Sequence, residues 1–206
     1  HDIGQLKCQV NEASSFIVRG MGRSYGDSSL NDSRVLSTNK YNRFLEFDRI
    51  KGVIECESGV TLAEIIDLSL HLGWFLKVTP GTKFVSVGGA IASDVHGNNH
   101  HVDGSFSSCV NRFSLLLPTG EVVCCSRDEN VDAFFATFGG MGLTGVILDV
   151  EFQLIPVESA YISQTTYKAA GLKEAMDSFE SIKDTTYSVA WIDCLAKGSS
   201  LGRSIV

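Results

Sequence analysis

Three glycine-rich turns, each beside a strand-like segment, constrain this chain more than anything else in it. The first is Arg19-Gly20-Met21-Gly22-Arg23-Ser24-Tyr25-Gly26-Asp27, which follows the apolar run Phe16-Ile17-Val18. A strand that ends in closely spaced glycines leaves its backbone N–H groups uncovered. Glycine permits positive φ and a close ligand approach, and successive N–H groups in such a turn form a concave anion site. Arg19 and Arg23 add fork-shaped donors suited to phosphate oxygens. The turn is no P-loop, because no Gly-Lys-Ser/Thr follows at the required spacing. It also departs from the Rossmann fingerprint: Gly26 comes one residue late, and no apolar helix follows.

The second small-residue segment opens with Pro80-Gly81-Thr82. It continues through Ser86-Val87-Gly88-Gly89-Ala90-Ile91-Ala92-Ser93-Asp94-Val95-His96-Gly97, with His100 and His101 close behind. The third, Gly139-Gly140-Met141-Gly142-Leu143-Thr144-Gly145, runs into Val146-Ile147 and an alternating strand pattern. Three such turns point to one long ligand touched at several places. A dinucleotide such as FAD has that shape.

Elsewhere the pattern is a mixture. Strands are expected over 44–48 and 53–57 as a pair, over 74–78, and over 112–117 and 121–126 as a hairpin across Pro118-Thr119-Gly120. Leu148, Val150, Phe152 and Leu154 alternate with Asp149, Glu151 and Gln153, the mark of a strand with one buried face. Ile3, Leu6 and Val10 fall at helical spacing. Thr61 with Glu64 reads as a capping box for a helix burying Leu62, Ile65, Ile66 and Leu72. A helix over 130–138 is expected to bury Val131, Phe134, Phe135 and Phe138. A strand over 161–167, a helix over 169–183 and a strand from Tyr187 complete the chain. Without a strict βαβ rhythm, the expected class is α+β.

The net charge of −7 argues against general nucleic-acid binding. No apolar run is long enough for a transmembrane helix, and no signal-peptide pattern opens the chain. The six cysteines (Cys8, Cys56, Cys109, Cys124, Cys125 and Cys194) lack metal-ligand spacing and read as free thiols in a reducing cytosol. His96 and His100 stand at i and i+4, but Gly97-Asn98-Asn99 is a poor helix, so no metal is expected.

Arg-Gly-x-Gly-Arg-Ser-Tyr-Gly-Asp, Pro-Gly-Thr with Val-Gly-Gly-Ala-Ile-Ala, His-Gly-x-Asn-His-His and Gly-Leu-Thr-Gly occur here in one order. Together they resemble the FAD-binding domain of the vanillyl-alcohol oxidase (PCMH-type) superfamily, and within it the decaprenylphosphoryl-β-D-ribose oxidase family. The resemblance implies a two-subdomain α+β flavin domain over residues 1–157. Residues 158–206 would be the end of that region and the start of a substrate domain whose remainder lies elsewhere, with the N-terminus incomplete. The last strand would then lack its sheet partners and the fragment would be inactive by itself.

The resemblance also implies a distribution of contacts. Arg19 to Asp27, that is Arg19, Gly20, Met21, Gly22, Arg23, Ser24, Tyr25, Gly26 and Asp27, would cradle the diphosphate. Gly81, Thr82, Ser86, Val87, Gly88 and Gly89 would line the opposite side. Ser93, Asp94, His96 and Gly97 would approach the isoalloxazine, and Gly142, Gly145 and Ile147 the adenine end. Some related flavoenzymes attach FAD through a histidine where this chain has Arg23, so non-covalent FAD is implied. No catalytic base is assigned; Asp94 is a candidate only by default. The implied substrate is a polyprenyl-phosphate pentose, oxidised at a secondary hydroxyl for a short-chain reductase partner to complete an epimerisation. A sugar-acid lactone or alditol oxidase, or a non-catalytic flavin module, are the alternatives. The implied location is cytoplasmic, peripheral at the inner membrane face.

Overall fold

The computed structural model describes residues 3–206. In chain order the elements are α1 (Ile3–Glu12), β1 (Ile17–Arg19), β2 (Val35–Ser37), β3 (Phe44–Asp48), β4 (Val53–Glu57), α2 (Leu62–Ser69), β5 (Trp74–Leu76), α3 (Val87–Ala92), α4 (His100–Asp103), β6 (Val110–Leu116), β7 (Val122–Ser126), α5 (Val131–Thr137), β8 (Val146–Pro156), β9 (Lys168–Ala169), α6 (Leu172–Ser181), β10 (Trp191–Ile192) and β11 (Ser204–Ile205). Helices and mainly antiparallel sheets mix in an α+β fold.

The main sheet runs β3-β4-β8-β6-β7, all antiparallel, with β5 pairing the far end of β8. The alternation along β8 is realised: Val150, Phe152 and Leu154 are buried in the core, against Ile54, Cys56, Phe113 and Phe134. Phe113 and Phe134 stack with ring centroids 5.3 Å apart, within the range of favourable offset pairs. On the other face Arg112 joins Glu55 and Glu151, 3.0 Å from each, and Ser114 Oγ donates to Asp149 at 2.8 Å. The polar half of the alternation is therefore paired across strands. A second cluster ties Leu6 and Val10 of α1 and Leu36 of β2 to Val146 and Leu148 at the start of β8. It fixes the parallel pair β1–β2 against the sheet.

Local signals explain the helix boundaries. Thr61 Oγ1 accepts from the Glu64 N–H at 3.2 Å, and Glu64 Oε2 accepts from the Thr61 N–H at 2.8 Å, so the capping box is complete. α2 buries Leu62 and Ile65 fully and Ile66 by half; Leu72, in the 3-10 turn that follows the helix, is half-buried. α5 buries Phe134 and half-buries Phe138. Val131 and Phe135 are exposed, against expectation, because only one stripe of this short helix faces the sheet. The Arg127 guanidinium covers Phe135 instead, 5.8 Å from its ring centroid.

The end of the chain differs most from its sequence pattern. Residues 161–167 form no strand and lie exposed; Tyr167 alone pairs, through its N–H and carbonyl, with Val206. Strand pairing begins at β9, and α6 starts at Leu172, after Gly171. The expected strand from Tyr187 shrinks to β10, and it has a partner: β10, β11 and β9 form a small antiparallel sheet. The strand expected over 74–78 ends at Leu76. Arg203 locks the hairpin by donating from Nε (2.8 Å) and Nη2 (2.6 Å) to Asp193.

All six cysteines are unpaired. Cys56, Cys109 and Cys125 are core residues, and Cys8 and Cys194 are exposed. Burial pushes the Cys109 thiol up to about 12 and that of Cys125 to about 11, so neither is a nucleophile at neutral pH.

Glu57, at the end of β4, is buried and accepts from the Arg43 backbone N–H (2.8 Å), Nε (3.0 Å) and Nη2 (2.7 Å). Burial pushes its carboxyl upward, but the Arg43 hydrogen bonds and charge outweigh this and hold it below the usual range. A group depressed in the folded state stabilises above its unfolded pKa, ~4.3 for glutamate, and that contribution is lost as pH falls through the folded value. Glu57→Gln is expected to lower stability at neutral pH and to flatten the acid limb of the stability curve. Urea midpoints measured from about pH 3 to about pH 7 check this; a mutant curve parallel to wild type contradicts it.

Candidate functional site

The first glycine turn begins where β1 ends. Thr38, just after β2, donates its N–H to the Arg19 carbonyl at 3.0 Å and so holds the strand end in place. Gly20 then passes so close to Ser86 that a Cβ there would collide with the Ser86 hydroxyl. Gly22 has φ +64°, and a Cβ there would collide with the Arg19 guanidinium. Arg19 is thus folded back beneath the turn, its Nη1 donating to Ser29 Oγ at 3.2 Å. It supports the loop from inside and does not line the cleft. Arg23, Ser24 and the almost fully exposed Tyr25 do.

The second segment supplies the opposite wall. Ser86 caps α3 by accepting from the Gly89 N–H at 3.3 Å. Gly88 lets the helix backbone lie on Ser58: a Cβ there would sit 2.9 Å from the Ser58 Cβ. The third turn is hydrogen-bonded to the far end of α3, Met141 N–H to the Ala92 carbonyl at 2.8 Å and Gly139 N–H to that of Ile91 at 3.2 Å. All three turns therefore meet around one cleft of about 600 Å³, within the ~300–1,000 Å³ range of small-molecule sites. A small extension of about 50 Å³ lies between Thr38, Ser58, Gly88, Gly142, Gly145 and Ile147. The Ser58 hydroxyl is buried there and has no hydrogen-bond partner among the described residues.

Of the residues read from the sequence, Gly20, Met21, Gly22, Arg23, Ser24, Tyr25, Gly81, Ser86, Gly89, Ser93 and His96 line the cleft, and Gly88, Gly142, Gly145 and Ile147 line its extension. The structure does not bring Arg19, Gly26, Asp27, Thr82, Val87, Asp94 or Gly97 to either wall. Val87 is a core residue, Gly97 packs on the Thr79 carbonyl, and Thr82 faces a second cavity. Val18, Pro80, Val85, Ala92, Val95 and Met141 add an apolar lining that sequence reading missed. Their only signal was adjacency to the glycine segments. Thr38 and Ser58 had none, because they arrive from the ends of β2 and β4.

Asp94 is clamped by its neighbours. Its carboxylate accepts from Ser105 Oγ at 2.8 Å and from the Ser107 N–H at 3.0 Å. Arg127 holds Ser107 in turn, donating to its carbonyl at 2.8 Å. With φ +39°, Asp94 turns the chain between Ser93 and His96, a conformation that costs a non-glycine residue free energy unless its surroundings enforce it. Its oxygens are engaged in this clamp, so it is a structural anchor and no free base. His96 pairs in a bridge with Ser105 and has its ring 5.5 Å from that of His100. His101 Nε2 lies 3.0 Å from the Thr185 carbonyl. Among the described residues no group of three His, Cys, Asp or Glu is placed to hold a metal.

A family model described as an FAD binding domain matches residues 6–126, which carry two of the three turns. The chain belongs to this FAD-binding family. The chain is 39% identical over 194 residues to decaprenylphosphoryl-beta-D-ribose oxidase of Mycolicibacterium smegmatis, covering 92% of this chain and 42% of that protein. It is 30% identical over 171 residues to L-gulonolactone oxidase of Bos taurus (82% and 38%), and 29% identical over 135 residues to Delta(24)-sterol reductase of Homo sapiens (66% and 26%). The chain thus spans about two-fifths or less of the curated relatives it matches. The residues present fit FAD: glycines leave the backbone of the cleft walls uncovered, Cβ atoms at Gly20, Gly22 and Gly88 having no room against Ser86, Arg19 and Ser58, and the Ser58 hydroxyl, without a partner among the described residues, lies beside the cleft.

Removing the Asp94 clamp leaves the Ser105 hydroxyl and the Ser107 N–H without their acceptor. Asp94→Ala is expected to cost about 1–3 kcal/mol of stability and to weaken FAD retention. Asp94→Asn, which keeps an acceptor oxygen, should cost less. Chemical denaturation and FAD titration of both variants check the order; equal effects contradict the clamp.

Proposed function

We propose that this chain is the cofactor-holding part of an FAD-dependent oxidoreductase that oxidises a secondary hydroxyl of a sugar. The observation that carries the reading is the convergence of three glycine turns on one cleft around α3. In this reading the backbone N–H groups of residues 20–26, with Arg23, hold the diphosphate. Ser86 and Gly89 face it from the other wall. Ser93 and His96 lie toward the isoalloxazine, and Gly142, Gly145 and Ile147 toward the adenine end. Val18, Val85, Val95 and Met141 exclude water from the bound group. FAD, when bound, supplies the hydride acceptor for oxidation of an alcohol; the chain supplies position and electrostatics. Arginine at position 23 cannot form a covalent flavin link, so attachment is non-covalent. Residues 1–157 are assigned to the FAD-binding domain, and 158–206 to its end and the first part of a substrate domain.

The proposed substrate is a polyprenylphosphoryl pentose, a ribose oxidised to its 2-keto form, with a short-chain reductase completing epimerisation to arabinose. The 39% identity to a decaprenylphosphoryl-ribose oxidase supports this. The 30% identity to L-gulonolactone oxidase supports a sugar-lactone oxidase as the second reading. Among the described residues no helix is long and apolar enough to cross a membrane; contact with a lipid-linked substrate would be peripheral, at the cytoplasmic face.

The purified protein is expected to be yellow and, on acid precipitation, to release FAD into the supernatant, identified by HPLC. A colourless protein that takes up no added FAD overturns the cofactor assignment, and flavin retained in the pellet overturns non-covalent attachment. In the protein with its complete substrate domain, anaerobic bleaching of the flavin band by a prenylphosphoryl ribose supports the sugar reading; bleaching by gulonolactone alone selects the second. Gly22→Val, forced to adopt φ +64° and to displace Arg19, is expected to purify without FAD. An FAD-saturated Gly22→Val protein would remove the diphosphate assignment.

A further inference from the structure

A second cavity, larger than the flavin cleft at about 860 Å³, lies on the other side of loop 79–83. The two spaces share this loop: Pro80 and Gly81 line the cleft, while Pro80, Thr82 and Lys83 line the second cavity. α2 and β5 contribute Leu62, Ile66 and Phe75 to its wall, and the C-terminal region adds Ile182 and Val189. The rest of the lining includes uncharged hydroxyl and amide groups. The chain carries 24 acidic residues against 17 Lys and Arg, yet no acidic side chain lines this space and its single charged side chain is Lys83. No ion pair of Lys83 occurs among the described residues; its Nζ rests 5.7 Å from the Phe84 ring centroid.

An extended apolar wall with one cation at the loop beside a reaction cleft selects a particular kind of molecule. A free sugar would leave the isoleucine and phenylalanine surface uncovered. A purely hydrocarbon ligand would have no use for the lysine. An amphiphile with an anionic head and an isoprenoid tail satisfies both, burying apolar area at ~25 cal/mol per Å² while its phosphate meets an ammonium group. We propose that this second cavity receives the first isoprene units of a lipid-linked substrate, with Lys83 beside the phosphate, so that the sugar passes Pro80 into the flavin cleft. The proposal rests on the sugar-oxidase reading above and assigns the tail a site of its own.

The test uses the FAD-loaded protein and farnesyl phosphate, followed by isothermal titration calorimetry, with farnesol and inorganic phosphate as controls. Farnesyl phosphate should bind, farnesol more weakly, and inorganic phosphate not detectably. Lys83→Ala should weaken farnesyl phosphate about tenfold, the loss of one charge-assisted contact, and leave farnesol unchanged. Ile66→Trp, which fills the wall, should abolish both; Val189→Trp at the more exposed rim repeats the test if Ile66→Trp does not fold. Absence of farnesyl phosphate binding, affinity that neither variant alters, or inorganic phosphate binding as tightly each overturns the proposal. Bleaching of the flavin by a water-soluble ribose phosphate is measured in parallel on the protein with its complete substrate domain. If it persists while the tail site fails, the sugar-oxidase reading stands and only the cavity assignment falls.

Discussion

The close approach of α3 to its neighbours is the constraint on which the rest of the cleft depends. This helix has six residues, Val-Gly-Gly-Ala-Ile-Ala, too few to be stable alone. Its Val87, Ala90 and Ile91 are fully buried, Gly88 rests on Ser58, and Ser86 caps it against Gly20. Any larger side chain at these glycines would push the β1 or β4 strand ends away. The small residues therefore do two things at once: they let three strand ends converge, and they leave backbone uncovered for a ligand.

Much of this was legible in the sequence because it rests on local rules. The capping box at Thr61, the hairpin of β6 and β7, and the alternation of β8 each follow from residues close in the chain. What was not legible depends on distant partners. Arg19 resembles a phosphate donor until its neighbour Gly22 is seen to have room for the guanidinium beneath the turn. Asp94 resembles a base until Ser105 and Ser107, which follow a tight loop, are seen around it. Phe135 has the spacing of a buried residue, but the sheet beneath α5 accommodates only one stripe, and Arg127 covers the other. The two-residue strands β9 and β10 have no periodicity to read, since each exists only because β11 lies between them.

The relatives named for sugar, lactone and sterol chemistry all align with this one domain. A cleft built from glycine, serine and apolar side chains contributes little that would distinguish a ribose from a lactone. Discrimination must come from groups that touch the substrate. One fold can thus serve several chemistries, whereas specificity is local.

The hydrogen bonds from Gly139 and Met141 to the last carbonyls of α3 have a mechanical consequence. They make the third turn and the second segment one rigid clasp, with Ser86 at one end pressed against the first turn. A ligand lying along this clasp would touch both segments at once, so that a shift of either one would change its contacts with the other.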